Sequence, residues 1–141
     1  MREILFRGKR VDNGEWVVSD SFYQCHGRIK LWDEQNRDGY VEVEKETVGQ
    51  YTGLTDKNGK KVYEGDIVKF TDTTFGYSHV GEVCFNKGSF CILYELYGQK
   101  RFHRIGKTEE WQDMGASGTI TYSYEVIGDI HDNKELLDIG E

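Results

Sequence analysis

The sequence predicts a mainly β fold, a strongly bent antiparallel sheet or a small β-barrel, SH3-like in part, with a short C-terminal helix. The 141 residues include 13% aromatic residues and 17 glycines but no proline, and this glycine content exceeds the usual share of about 7%. Without proline, turns depend on Gly, Asn and Asp, and these turn signals separate short aromatic and β-branched runs. We therefore expect roughly six to ten strands in a single domain over residues 1–141, because one hydrophobic core can serve this length.

The first predicted element is a hairpin over Ile4–Asp20. Its turn signal is Asp12-Asn13-Gly14, which is typical of a two-residue type I′ turn. Counting outward from this turn places Val11 opposite Trp16, a cross-strand contact that stabilises a sheet by roughly 0.2–1 kcal/mol. The pattern then weakens over Ser21–Gly39, which predicts one strand followed by a polar loop.

The central stretch Thr52–Phe70, TGLTDKNGKKVYEGDIVKF, combines two turn signals with two strand signals. Asp56–Gly59 predicts a four-residue turn, and Glu64–Asp66 predicts a second bend before the next strand. Two bends so close together favour a coiled sheet over a flat one. Three apolar residues are expected to face the core, namely Val62, Ile67 and Phe70.

A second hairpin is predicted around Lys87-Gly88. Counting outward gives three cross-strand pairs, which are Phe85 with Phe90, Val83 with Ile92, and Cys84 with Cys91. Gly98–Gly118 is polar and predicts an extended loop that holds one strand at most. Thr119–Ile127 alternates with period two and predicts a strand. Asp132, followed three residues later by Glu135, predicts the start of the short C-terminal helix.

Charge and cysteine content limit the function classes. The net charge of −7 argues against phosphate binding as the main role, although a local basic patch stays open. No signal peptide and no apolar run of membrane-spanning length are present, so we expect a cytoplasmic protein with no membrane segment. Cys25, Cys84 and Cys91 have no framework spacing and predict reduced thiols. Without a CxxC pair, the sequence predicts neither a metal site nor a cofactor.

One cluster of basic and aromatic residues is a candidate binding surface. Basic residues beside aromatic ones can bind single-stranded nucleic acid by stacking its bases. The alternative is a solvated loop, because Glu109, Glu110 and Asp113 partly cancel the positive charge. The candidate binding residues are Arg101, Phe102, Arg104, Lys107 and Trp111.

The sequence carries no recognisable catalytic constellation. Its four histidines show no metal-binding spacing, and no nucleophile elbow or phosphate-binding loop is present. We therefore predict a protein that is not an enzyme and has no catalytic residues. An unrecognised hydrolase stays an alternative that requires a pocket in which His103 or His131 meets a carboxylate.

The stretch Thr52–Phe70 resembles the signature of the YopX family of phage and prophage proteins. Three further segments are similar to that family: ILFRGKRVDNGEWV near the start, GEVCF in the middle, and EVIGDIHDNKELL near the end. The resemblance implies a mostly β, barrel-containing protein that is encoded by phage-derived DNA and acts in the bacterial cytoplasm. It supplies no catalytic residues.

These observations lead to three function hypotheses. The first is a non-enzymatic phage accessory protein that binds a protein partner or itself through exposed strand edges or aromatic patches. The alternative is a small-barrel protein that binds nucleic acid near Phe102 and Trp111, which the net charge disfavours. The third is the unrecognised hydrolase.

Overall fold

The structure is a computed structural model that describes residues 3–35, 38–106 and 108–139. Strands take 62% of the chain and helical turns 6%, so the prediction of a mainly β protein is confirmed. The chain divides into two compact units, Met1–Leu54 and Thr55–Glu141, here called unit 1 and unit 2. The single domain predicted over residues 1–141 stays a prediction.

Unit 1 consists of short antiparallel strands. Strand β1 pairs with β2 on one side and with β6 on the other. In the second group, β4 pairs with β3 on one side and with β5 on the other. Its core contains Val17, Leu31 and Val43, all nearly inaccessible to solvent. A 3-10 turn, Lys45–Thr47, follows β5. The strands are β1 Phe6–Lys9, β2 Trp16–Ser19, β3 Phe22–Cys25, β4 Arg28–Asp33, β5 Gly39–Val43 and β6 Gly49–Thr55.

The register predicted for the first hairpin is wrong. Trp16 pairs with Lys9 instead of Val11, and Val11 lies outside the strands with half of its surface exposed. The reason is a longer loop, closed by the hydrogen bond that the Arg10 amide donates to the Glu15 carbonyl at 2.9 Å. Gly14, in the left-handed region at φ +74°, ends that loop.

The single strand predicted over Ser21–Gly39 is also wrong, since β3 and β4 both lie within this range. They are joined by a two-residue turn, His26-Gly27, in which both residues have positive φ. This conformation is the type I′ turn, which usually begins with Asn or Gly. A histidine at the first position weakened the turn signal in the sequence.

Unit 2 is organised around a five-stranded antiparallel sheet with the order β11-β10-β9-β8-β14, and β12 and β13 form a separate hairpin. The register predicted around Lys87-Gly88 is confirmed at all three pairs. The extended loop predicted for Gly98–Gly118 is wrong, because this range contains β11, β12 and most of β13. The strands are β7 Lys61–Tyr63, β8 Asp66–Asp72, β9 Ser78–Asn86, β10 Ser89–Leu96, β11 Gln99–Arg104, β12 Glu109–Asp113, β13 Ala116–Ile120 and β14 Tyr122–Asp129.

The five-stranded sheet is strongly bent. Phe70 of β8 stacks on His103 of β11 with ring centroids 4.4 Å apart, although two strands separate them in the sheet. Gly81 permits the close packing of β9, because a Cβ at this position would lie 2.6 Å from Ile92 Cγ2. Within the described residues, β11 and β14 remain the two edges of this sheet, and no sheet closes into a barrel. The bent sheet is therefore confirmed and the closed barrel is not.

The central stretch is held by buried carboxylates. Asp56 Oδ1 accepts hydrogen bonds from the amides of Asn58 and Lys60, each at 2.9 Å, and its Oδ2 accepts one from the Val126 amide of β14, also at 2.9 Å. Asp66 Oδ2 accepts a hydrogen bond from the Tyr63 amide at 2.8 Å. The core positions predicted here are confirmed, since all three residues are buried: Val62, Ile67 and Phe70.

The C-terminal helix is a 3-10 turn, Lys134–Ile139. It begins with an i to i+3 hydrogen bond from the Leu136 amide to the Asn133 carbonyl at 2.9 Å. The turn starts at Lys134, so Asn133 directly precedes it in place of the predicted Asp132. The carboxylate of Asp129 accepts hydrogen bonds from the amides of His131 and Asp132 just before the turn. None of the helical turns in the described ranges is long and apolar enough to cross a membrane.

Candidate functional site

A cleft of about 550 Å³ opens on the bent sheet of unit 2. Strand alternation places its side chains, because residues two apart on one strand share a face. Four tyrosines line this cleft, and we call it the tyrosine cleft. The four are Tyr77, Tyr94, Tyr97 and Tyr122.

The floor of the tyrosine cleft is a set of rings in contact. Phe70 lies at its centre, stacked on His103 and edge-on to Tyr94 at 5.1 Å. His79 contacts Tyr94 at 5.0 Å, and Tyr122 meets His103 edge-on at 4.4 Å. Ring pairs in these geometries stabilise packing beyond the area that they bury. The floor is therefore held in place before anything binds.

His103 is fixed by a hydrogen bond between the two edge strands. Its Nε2 lies 2.7 Å from the Tyr124 hydroxyl of β14, which also accepts a hydrogen bond from the Gly106 amide at 3.0 Å. Burial raises the pKa of Tyr124, and the Gly106 hydrogen bond opposes that rise only in part. The histidine is 3% exposed, so its ring serves as part of the floor.

The wall of the tyrosine cleft carries two carboxylates, Asp72 and Glu109. Burial, followed by the negative charge of Glu109 and a hydrogen bond to it, raises the pKa of Tyr122 to about 12. Asp72 contributes further negative charge in the same direction. The cleft thus places His103, one of the two histidines in the hydrolase hypothesis, in one cavity with carboxylates, and His79 lines the same cavity. Enzymatic activity stays untested.

Ionisation of Tyr122 offers a direct measurement of this environment. The pKa of Tyr122 is raised from 10.0 to about 12. Between these two pH values the phenol stays protonated in the folded protein, whereas the same phenol is ionised in the unfolded chain. Folding stability is therefore expected to fall as the pH rises from 10 toward 12. Ultraviolet titration of tyrosinate in the wild type and in Tyr122→Phe checks this. Loss of a group that titrates near pH 10 in the variant would contradict the assignment.

The rim of the tyrosine cleft is exposed. Tyr77 is 71% exposed and Tyr97 is 93% exposed. Tyr97 also has φ +52° at the turn Tyr97-Gly98, where a residue with a Cβ is strained and Asn is favoured. Met114 occupies the matching position in the β12–β13 turn, with φ +48° and 99% exposure. Both turns therefore present a large side chain to solvent at a conformational cost.

The structure does not bring the predicted binding residues to one face. Arg101 lines the tyrosine cleft beside His103, so strand alternation directs Phe102 and Arg104 to the opposite face of β11. Trp111 lies on β12 and contacts Phe75 edge-on at 5.7 Å. Lys107 lies outside the described residues. The binding role of this group stays a prediction.

Sequence reasoning missed the tyrosine cleft because its members come from seven strands and from two connections between strands. One local signal was available, since Tyr122 and Tyr124 alternate on one face of β14. The sequence also shows Tyr97-Gly98 as a turn whose first residue is unexpectedly large. Neither signal identifies the partners across the sheet, which depend on the bend.

These features define a class: a mainly β protein of two small antiparallel units, one of which carries a preformed aromatic cleft. The family model described as YopX protein matches residues 5–138. The chain therefore belongs to the YopX family, which confirms the resemblance seen in the sequence. Membership indicates a phage-type protein whose function is not established. No curated protein matches the chain.

Proposed function

We propose that this YopX protein is a non-enzymatic phage accessory protein that binds another protein through the tyrosine cleft. The observation that carries the proposal is the combination of a fixed aromatic floor with exposed tyrosines at the rim. Tyrosine supplies a large amphipathic contact area with only two side-chain torsions to order, which is why protein-binding surfaces use it heavily. We expect this binding to occur in the bacterial cytoplasm.

The dimensions of the cleft fit a side chain of a protein partner. Its volume of about 550 Å³ lies within the roughly 300–1,000 Å³ range of ligand pockets. Contacts among the floor rings mean that binding orders few additional side chains, which lowers the entropic cost of association. Asp72, Glu109 and Arg101 supply charged groups that orient polar atoms of the partner.

The position of His103 favours binding over hydrolysis. A general base must reach the proton that it removes, within hydrogen-bond distance or through one water. The Nε2 of His103 is instead bonded to Tyr124, and the face of its ring is covered by Phe70. These contacts support a structural role for the histidine.

Replacing Tyr97 with Asn is expected to separate stability from function. The change should stabilise the fold by about 0.5–1 kcal/mol, because Asn adopts the left-handed turn conformation with less strain. It should also weaken partner binding, since the exposed ring at the rim is lost. Urea denaturation measures the free energy of unfolding. The amount of partner protein captured from host cells measures the binding. Met114→Asn is the matched control, expected to stabilise similarly and to leave binding unchanged.

Affinity capture of the tagged protein from host cells, with mass spectrometry and nuclease-treated controls, tests the proposal. We expect to capture a protein partner whose recovery is unchanged by nuclease treatment. Its recovery should fall with Tyr97→Asn and with Tyr77→Ala, and should be unchanged with Met114→Asn. Capture that is equal for all variants would contradict a role for the cleft. Self-association is tested separately by size-exclusion chromatography with light scattering, and a monomer at high concentration would exclude it.

A further inference from the structure

Unit 1 presents a second aromatic surface, on the solvent face of β3, β4 and β5. Tyr23, Trp32 and Tyr40 belong to it, and we call these three the aromatic platform. Each of them is between 42% and 43% exposed. Tyr40 meets both neighbours edge-on, with centroids 5.2 Å from Tyr23 and 5.2 Å from Trp32. The rings hold one another in place while a large part of each surface stays accessible.

Cationic side chains continue the same face. Lys30 pairs across the strands with Tyr23, and Arg28 pairs with Cys25. Trp32, Lys30 and Arg28 are alternate residues of β4, so they lie on one face about 7 Å apart. A cavity of about 400 Å³ lies at the cationic end and is also lined by His26. The face therefore runs from aromatic to basic along a single strand.

Among the described residues, the basic end of this face carries two cations, Arg28 and Lys30, against one carboxylate. That carboxylate is Glu42, which pairs across the strands with Lys30 and lies 3.9 Å from Arg28, with 69% of the Arg28 side chain and 37% of the Glu42 side chain exposed. Exposed pairs of this kind are weak and easily exchanged. Three other carboxylates are held by the Arg10 guanidinium instead, namely those of Asp12, Asp33 and Asp38.

We infer that this face binds single-stranded nucleic acid, with bases stacked on the aromatic platform and the phosphate backbone at Lys30 and Arg28. Exposed rings on a sheet accept bases of any sequence, because every base has a π face. Adjacent cations supply the electrostatic part of the affinity. Bases in a duplex are already stacked on one another, so the platform selects single strands. This activity is independent of protein binding at the tyrosine cleft.

Fluorescence anisotropy with labelled single-stranded and double-stranded oligonucleotides tests the inference. Single strands are expected to bind more tightly than duplex. Two phosphate contacts predict that affinity falls about sevenfold between roughly 50 mM and 200 mM salt. No binding of single strands at low salt, or equal binding of duplex, would overturn the inference.

Variants locate the site. Trp32→Ala is expected to weaken binding by about ten- to a hundredfold, whereas Trp32→Phe retains most of the affinity because a ring is kept. Arg28→Ala should lower the salt slope by about 0.7. Phe85→Ala and Lys69→Ala in unit 2 remove an exposed ring and an exposed cation outside both candidate surfaces, so they serve as matched controls and should bind like the wild type. If these controls lose affinity while Trp32→Ala does not, the platform is not the site. Urea midpoints establish that each variant is folded.

Discussion

Replacing Arg10 with methionine is expected to lower the free energy of unfolding of unit 1 more than any other single change at an ion pair of the described chain. The reason is the carboxylate of Asp33, which is 3% exposed and bonded to the guanidinium at 2.9 Å. Removing one member of a buried ion pair costs about 3–5 kcal/mol. Urea denaturation, followed by tryptophan fluorescence, measures the loss.

The geometry explains why Arg10 is used at this position. Its side chain bonds Asp33 and Asp38 through Nη1, at 2.9 and 2.8 Å, and Asp12 through Nε and Nη2, at 2.9 and 2.8 Å. Asp12 and Asp38 are well exposed, so they return to water when the guanidinium is removed. Asp33 cannot do so without disrupting the core of unit 1. The expected loss therefore comes mainly from Asp33.

Two further variants test this explanation. Arg28→Met removes an exposed pair with a separation of 3.9 Å and should cost less than about 1 kcal/mol. The double variant Arg10→Met/Asp33→Asn removes the buried charge together with its partner and should recover much of the stability. An Arg10→Met protein as stable as Arg28→Met would show that Asp33 does not depend on the guanidinium.

The same arginine shows why one hairpin could be predicted and another could not. At Lys87-Gly88 the turn has two residues, and a two-residue turn determines the register of both strands. At Asp12-Asn13-Gly14 the local signal is stronger, yet Arg10 instead closes a longer loop and bonds Asp33 and Asp38. Those carboxylates are distant in sequence, so no reading of the turn alone could include them.

The core was more predictable than the sites. Val62, Ile67 and Phe70 could be identified from strand patterning, because burial of apolar residues is a property of each strand. The tyrosine cleft depends on the stacking of Phe70 and His103, and therefore on the bend of the sheet. The aromatic platform depends on a turn at His26-Gly27 that the sequence marks weakly. Sites formed by side chains from several strands require the register of every strand.

The carboxylate of Asp56 gives the second large effect, and it lies in the stretch that carries the family signature. Asp56→Ala is expected to destabilise unit 2 by about 2–4 kcal/mol, because three backbone amides lose the buried carboxylate that accepts their hydrogen bonds. The loss includes the link to Val126, which joins the turn to β14. Urea denaturation measures it. Asp129→Ala is the matched control, since that side chain accepts hydrogen bonds only from amides of its own turn. This variant is expected to lower the free energy of unfolding by about 1 kcal/mol.

The charge of Asp56 also predicts a pH dependence. Burial by itself would raise its pKa, but hydrogen bonds from Val126, Lys60 and Asn58 and the charge of Lys60 together lower it below the ordinary 3.8. A lowered pKa means that the folded state favours the carboxylate, so this stabilisation is complete above about pH 4 and is lost as the pH falls through the folded value.

Asp56→Asn separates the charge from the shape of the turn. The amide keeps an oxygen for Asn58 and Lys60 but presents an NH₂ group to the Val126 amide, so the variant should be less stable than the wild type at neutral pH. The difference in free energy of unfolding between the two should stay constant down to about pH 5 and shrink below pH 3.8. A difference that is unchanged at low pH would show that hydrogen-bond geometry, and not the charge of Asp56, stabilises the signature turn.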